Sequence, residues 1–142
     1  MTTLVLDSEA FSSLARSRTG ERPGAVHAAL RAAVEAGSDV LVPAAVLAEQ
    51  YRGGQHDQIV DSCLGRFTGI EVANTTRQLA RRIGNLLTRA GRGSKDHVDA
   101  TVVAVAVAAG GAVIATGDPD DIAALAANLV GITVEAIYPQ CA

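Results

Sequence analysis

Short apolar runs alternate with longer amphipathic segments along the whole chain. The run at residues 112–115 is fully apolar, a pattern typical of a strand buried on both faces of a parallel sheet, and the run at residues 3–6 shows a buried-strand pattern that ends at Asp7. The predicted strands are residues 3–6, 39–42, 69–73, 112–115 and 132–137. The segments between them carry apolar residues at helical spacing, often with a proline or a capping residue at the start. The predicted helices are residues 8–16, 23–37, 43–52, 55–64, 75–90 and 122–129.

Residues 96–109 fit two patterns. The alternation within residues 102–107 resembles a strand, whereas the length and the alanine content of the segment favour a helix. Because two glycines and a clear strand follow directly, we predict a helix here. The helix that precedes this segment is expected to have Asn74 or Thr75 as its N-cap.

This alternation predicts one α/β domain over residues 1–142, with helices on both faces of a short parallel sheet. Apolar residues make up 49% of the chain and charged residues 19%, a composition typical of a globular protein. A doubly wound sheet of order 3-2-1-4-5 places the first and fourth strands side by side. Asp7 and Asp118 follow these two strands, so this order brings both acids to the edge of the sheet where ligands bind.

Further acids can reach the same edge of the sheet. Glu49 lies on the helix that leaves the second strand, and Asp99 lies in the first turn of the helix before the fourth, with Asp96 one turn earlier. Several carboxylates in one cleft repel each other at neutral pH unless a cation is bound. Oxygen ligands favour Mg²⁺ or Mn²⁺, and such a site supports hydrolysis of a phosphodiester. The three histidines are isolated and form no zinc motif.

Every acid also has a structural interpretation. Asp7 can cap the first helix, and Asp96 with Asp99 can form a capping pair. Asp120 and Asp121 suit the first turn of a helix better than a metal site. The sequence leaves open whether Asp96, Asp120 or Asp121 joins the site. The ordered set of acids, and no single acid, therefore indicates chemistry.

Four short segments together resemble PIN-domain ribonucleases, and specifically the VapC-type toxins of toxin–antitoxin pairs. They are LVLDSEAF at residues 4–11, VPAAVLAEQYR at residues 42–52, DHVDATVVAVA at residues 96–106 and TGDPDDIAAL at residues 116–125. The resemblance implies a three-layer α/β/α PIN-like domain with endoribonuclease activity that depends on Mg²⁺ or Mn²⁺. The implied substrate is structured RNA, often tRNA or ribosomal RNA. The resemblance also implies a homodimer and inhibition by a VapB-like antitoxin, whose C-terminal segment covers the cleft.

The family's catalytic and metal-binding acids fall on four positions of this chain. They are Asp7, Glu49, Asp99 and Asp118. Asp96 is a further candidate ligand, since some relatives use an acid one turn earlier. Thr116 matches the family's Ser or Thr before the last acid and is the candidate for orienting it. Relatives often have a polar residue where this chain has Gly117, so a side-chain role at that position is absent.

Basic residues are concentrated between Glu71 and Asp96, although the whole chain has a net charge of −3. This segment contains no acid. Four of its basic residues are the candidate contacts to the RNA backbone, namely Arg77, Arg81, Arg92 and Lys95. A positive wall beside a metal site would hold phosphates and make RNA binding depend on salt. A solvated helix face would carry the same charges.

Two other functions fit parts of the pattern. A phosphotransfer domain, such as a receiver or a haloacid-dehalogenase-like phosphatase, also places a nucleophilic Asp at a strand end. Glu9 partly matches the acid that such phosphatases have two residues after that Asp. Both classes need a lysine at a later strand end, and the only lysine, Lys95, lies in a predicted loop. The other alternative is a PIN-like module that binds without cleaving.

The cysteines and the apolar runs indicate a cytoplasmic protein without a membrane partner. Cys63 and Cys141 form no disulfide framework, which indicates a reducing compartment. The N-terminus has no basic region of the kind that precedes a signal peptide core, and the apolar run at residues 102–109 is too short to cross a bilayer.

Overall fold

A computed structural model describes residues 2–17 and 24–138. Within these ranges the strands are β1 (Thr3–Leu6), β2 (Val40–Pro43), β3 (Ile70–Ala73), β4 (Ala112–Thr116) and β5 (Ile132–Ala136). The α-helices are α1 (Ser8–Ala15), α2 (Ala25–Glu35), α3 (Ala44–Gln50), α4 (Gly54–Arg66), α5 (Arg77–Ala90), α6 (His97–Ala108) and α7 (Pro119–Leu125). A short 3-10 helix, Ser94–Asp96, connects α5 to α6.

The strands form a parallel sheet in the order β3-β2-β1-β4-β5, which confirms the predicted order. The central strand is β1, where Leu4 pairs with Val40 of β2 on one side and with Val113 of β4 on the other. The chain therefore leaves β1 and β4 at the same edge of the sheet. Beyond the strand ends, the Asp7 amide still donates a hydrogen bond to the Ala115 carbonyl at 3.2 Å.

Helices cover both faces of the sheet. In β1 the consecutive residues Leu4, Val5 and Leu6 are all buried, which requires cover on both sides because successive side chains point to opposite faces. Helix α6 contacts β1, β2 and β4, while α1 contacts β1 and β4, and α2 contacts β1 and β2. This is the predicted three-layer α/β/α arrangement.

Helix α6 is buried on all sides over its middle. Every residue from Ala100 to Ala106 is buried between the sheet and the helices α3, α5 and α7. A helix that is buried all round has no polar face and so lacks a helical period in its sequence. This environment explains why residues 96–109 fit both patterns, and it confirms the helix.

The start of α5 differs from the prediction. Its N-cap is Thr76, whose side-chain oxygen accepts a hydrogen bond from the Leu79 amide at 3.1 Å, and not Asn74 or Thr75. The apolar stripe of α5 is confirmed, with Leu79, Ile83 and Leu86 buried against the core. The helix over residues 75–90 was therefore predicted, although its cap lies further along the chain.

Helix α7 begins earlier than the predicted residue 122 and ends at Leu125, before the predicted residue 129. Asp118 is its N-cap, and Pro119 occupies the first helical position, where a missing amide hydrogen has no consequence. The early start places Asp120 and Asp121 in the first turn, as predicted. The predicted helix start at Pro23 lies outside the described residues, and α2 begins at Ala25.

Within the part of the chain that the structure describes, Cys63 is a free and buried cysteine. Burial raises the pKa of its thiol to about 11. Cys141 lies outside the described residues. Among the described helices, none is both long and apolar enough to cross a membrane.

Candidate metal centre

Three carboxylates converge at the edge where β1 and β4 end. Asp99 comes from the first turn of α6, Asp118 directly follows β4, and Asp121 comes from the first turn of α7. One carboxylate oxygen from each lies within 4.8 Å of the others. Three oxygen ligands at this spacing fit one hard divalent cation such as Mg²⁺ or Mn²⁺.

The charge at this centre is incompletely balanced. Burial and, to a lesser degree, repulsion from Asp118, Asp7, Asp121 and Asp96 together raise the pKa of Asp99 to about 6. A carboxyl group that is hard to ionise among other carboxylates is the electrostatic mark of a cation site. The charges of Asp7 and Asp96 act on Asp99, so these two acids lie near the cluster.

Asp118 and Asp121 are hydrogen-bonded to each other through their side chains. This contact raises the pKa of Asp118 and lowers that of Asp121. Arg92 lowers the pKa of Asp121 further, because its guanidinium donates to the Asp121 Oδ1 at 3.0 Å. Arg92 therefore offsets part of the negative charge of this pair of acids.

Asp7 has both of the roles that the sequence left open. Its side chain is only 4% exposed and caps α1, accepting a hydrogen bond from the Ala10 amide at 2.8 Å. Burial raises the pKa of Asp7, and hydrogen bonds from Thr116 and from nearby amides partly offset that rise. Its charge also raises the pKa of Asp99, so Asp7 caps the helix and lies near the three carboxylates.

Thr116 connects the two strand ends. The side chain is fully buried, and its hydroxyl oxygen accepts a hydrogen bond from the Asp118 amide at 2.8 Å. The same hydroxyl is hydrogen-bonded to the Asp7 carboxylate, to which it donates. Thr116 thus positions the backbone of Asp118 through its hydroxyl group.

Glu49 lies at the same edge but outside the cluster of three carboxylates. Its exposed side chain accepts a hydrogen bond from the hydroxyl of Ser8, the residue that follows Asp7. The neighbouring Gln50 amide donates to the Ser8 carbonyl at 3.1 Å, which holds the end of α3 against the start of α1. The structure therefore places Glu49 beside the Asp7 corner of the site.

Asp96 is also at the rim of the site. It lies 3.7 Å from the Arg92 guanidinium, so Arg92 bridges Asp96 of the 3-10 helix and Asp121 of α7. Asp120 is exposed and belongs to no cluster of potential ligands in residues 2–17 and 24–138.

Four other basic residues between Arg77 and Lys95 differ in whether their side chains are exposed or hydrogen-bonded. Arg77, Arg81 and Lys95 are exposed. Arg89 instead donates to the Ala127 carbonyl at 3.0 Å and so holds α5 near the end of α7. Of the four candidate RNA contacts, Arg92 forms ion pairs with Asp96 and Asp121, and the charge of Lys95 also lowers the pKa of Asp121.

The sequence analysis left Asp121 undecided, although a signal was present. Asp118 and Asp121 are three residues apart at the start of a helix, a spacing that puts two side chains on one face. The sequence left Asp121 between a first-turn helix residue and a ligand, and this spacing alone does not decide between the two.

A family model for the PIN domain matches residues 4–128. The chain belongs to the PIN-domain family. PIN domains are nucleases that use divalent metals, and the acidic cluster described above could bind one. No curated protein sequence matches the chain.

Solved structures with the same fold come from toxin–antitoxin complexes. One is VapBC2 from Rickettsia felis bound to a fragment of promoter DNA, with a TM-score of 0.68 and 15% identity, covering 95% of this chain and 98% of that one. The DNA-bound VapBC from Salmonella typhimurium has a TM-score of 0.64 and 16% identity, covering 97% and 100%. A toxin–antitoxin complex from Klebsiella pneumoniae has a TM-score of 0.64 and 16% identity, covering 96% and 99%. At 15% to 16% sequence identity, this similarity shows a shared fold alone.

Proposed function

We propose that this PIN-domain protein is an endoribonuclease that hydrolyses RNA phosphodiester bonds with Mg²⁺ or Mn²⁺. We further propose that it is the toxin of a VapBC-type toxin–antitoxin pair. The observation that carries the proposal is the convergence of Asp99, Asp118 and Asp121 at the carboxyl edge of a PIN fold, with Asp7 beside them. No cluster of this kind is needed for folding, since like charges in one cleft destabilise a metal-free protein.

Asp99, Asp118 and Asp121 would hold the ion, while Asp7 and Glu49 add negative charge from two neighbouring elements. A bound Mg²⁺ or Mn²⁺ supplies charge neutralisation and activation of water, so hydrolysis leaves a 5′-phosphate and a 3′-hydroxyl. With its pKa at about 6, Asp99 is mostly ionised at neutral pH and available as a ligand. Thr116 fixes the Asp118 backbone, so that this acid keeps its position relative to Asp7.

Arg92 is the residue best placed to connect the cluster with a substrate phosphate. Its guanidinium is shared between Asp121 and Asp96 and retains partial exposure of 26%. Arginine forms directional hydrogen bonds to phosphate as it does to carboxylate. A phosphate that approaches the cluster would therefore meet Arg92 at the rim, with Lys95 on the same connecting segment.

The proposed partners follow from the structural neighbours and from charge. The three solved structures are VapBC or toxin–antitoxin complexes, which supports a VapB-like antitoxin for this chain. An antitoxin tail that carries arginine would complement the acidic cluster. The proposal also includes a homodimer and a structured RNA substrate, of the tRNA or ribosomal RNA class.

Cleavage of a structured RNA in Mg²⁺ and then in excess EDTA tests the proposal. The wild-type protein should cleave in Mg²⁺, should lose activity in EDTA and should leave 5′-phosphate ends. Asp118→Asn should abolish cleavage. Asp120→Asn is the matched control, because it removes an exposed acid from the same turn of α7 and should leave activity unchanged.

Equal cleavage with and without EDTA would refute the metal role. A stable phospho-aspartate after incubation with a phosphate donor would favour the phosphotransfer alternative. Binding of RNA and Mn²⁺ without cleavage under any of these conditions would favour a non-catalytic module.

A further inference from the structure

Gly117, between Thr116 and Asp118, lies directly against the side chain of Glu9. A Cβ atom at position 117 would overlap the Oε2 and Cδ atoms of Glu9 and would lie 2.7 Å from its Cβ. The overlap with the Glu9 Cβ cannot be relieved by moving only the end of the Glu9 side chain. Glu9 therefore fills the space that a side chain at position 117 would need.

The backbone at Gly117 does not itself require glycine. Seven described glycines have a positive φ, and Gly117 is not among them. Glycine at this position is thus explained by the close approach of Glu9 and not by backbone conformation. The two residues form one packing unit, which we call the Glu9–Gly117 pair.

The Glu9–Gly117 pair brings another acid to the metal centre. Glu9 is in the first turn of α1, two residues after Asp7, and its charge contributes to the repulsion felt by Asp118. Within the described residues both ion pairs involve Arg92, and neither reaches Glu9. Glu9 is exposed, so its carboxylate can contact water beside the cluster, and a bound cation would offset the repulsion between Glu9 and Asp118.

We propose that Glu9 is a positioning residue of the metal site and that Gly117 is present to admit it. This inference rests on the proposed function. Glu9 is not part of the group of three whose oxygens lie within 4.8 Å, so its role is to hold water in the hydration shell of the ion. Mg²⁺ and Mn²⁺ sites of few carboxylates retain several waters, and partners of this outer kind change metal affinity about 10-fold to 100-fold.

Calorimetric titration of the full chain with Mn²⁺ tests the role of Glu9. Glu9→Gln keeps the size of the side chain and should weaken Mn²⁺ binding about 10-fold. Glu35→Gln is the matched control, because it removes an exposed glutamate at the end of α2 and should leave binding unchanged. Equal Mn²⁺ affinity of Glu9→Gln and the wild type would overturn the proposal.

A double-mutant cycle tests the link to Gly117. Gly117→Ala should displace Glu9 and weaken Mn²⁺ binding to the same degree as Glu9→Gln. In a Glu9→Gly background the added methyl group has room, so Gly117→Ala should have no further effect on binding or on the midpoint of urea unfolding. Additive effects of the two substitutions would contradict the pair.

The two proposals fail in different ways. If the wild type binds Mn²⁺, Asp118→Asn abolishes binding and Glu9→Gln has no effect, only the role of Glu9 is wrong. If the wild type does not bind Mn²⁺ at all, the proposed function fails and the role of Glu9 fails with it.

Discussion

Asp99 is a residue whose ionisation opposes folding. Its pKa is raised from 3.8 to about 6 in the folded state by burial and by four neighbouring acids. The folded protein therefore binds this proton more tightly than the unfolded chain does. The contribution of Asp99 to the free energy of unfolding falls as pH rises from about 4 to about 6, and the loss is complete above that range.

Asp99→Asn should reverse this loss in the metal-free protein. We expect the variant to be more stable than the wild type by about 1 to 2 kcal/mol at pH 7.5, after allowance for solvent screening, and to have similar stability at pH 4. Urea unfolding in EDTA at the two pH values measures the difference. A gain of equal size at both would show that the carboxyl charge is not its cause, and Asp120→Asn provides the control for an exposed acid in the same region.

At the scale of elements, α1 begins at a residue with two functions. Asp7 caps the helix through its bond to the Ala10 amide and also contributes charge to the metal centre. Two substitutions can separate these functions, because asparagine is as good an N-cap as aspartate whereas alanine is not.

Asp7→Asn should keep the N-cap of α1 and abolish RNA cleavage. We expect the metal-free variant to be at least as stable as the wild type, since it keeps the cap and loses a buried charge. Asp7→Ala should be about 1 kcal/mol less stable, with a further loss from the unpaired Thr116 hydroxyl. Both variants should fail to cleave RNA. Thermal unfolding in EDTA, together with the cleavage assay, would contradict this view if Asp7→Asn were as unstable as Asp7→Ala.

The helices and strands could be predicted from the sequence where burial leaves a pattern of apolar and polar residues. Strands buried on both faces give unbroken apolar runs, and α5 shows its stripe because one face meets solvent. Helix α6 loses that signal because it is enclosed. The start of α7 was misplaced because Asp118 acts as both the expected ligand and the helix cap.

The sequence predicted the site only where the order of the strands determines which residues lie close together. Asp7 and Asp118 follow adjacent strands, so the strand order alone predicts that they meet. The position of Glu49 depends on how α3 is rotated about its axis, which no pattern in the chain specifies. The contact between Glu9 and Gly117 depends on the packing of the first turn of α1 against the loop after β4, and sequence spacing carries no record of it.

At the scale of the whole molecule, charge is segregated. The net charge is −3, yet the exposed face of α5 is basic and the sheet edge is acidic. A helix of 14 residues is about 20 Å long, so Arg77 and Arg81 lie toward the end of α5 that is distant from Arg92. An RNA backbone that follows α5 would meet exposed arginines before it reaches the acidic cluster.

This arrangement predicts how RNA affinity responds to salt. In an Asp118→Asn background that prevents cleavage, Arg77→Ala with Arg81→Ala should weaken RNA binding and reduce the slope of log K against log salt by about 1.4, or about 0.7 for each lost phosphate contact. Arg89→Ala is the control, because its guanidinium is engaged with the Ala127 carbonyl. That variant should lower the unfolding midpoint and leave the slope unchanged. If the double variant keeps the wild-type slope, the face of α5 is solvated and RNA reaches the acids by another route.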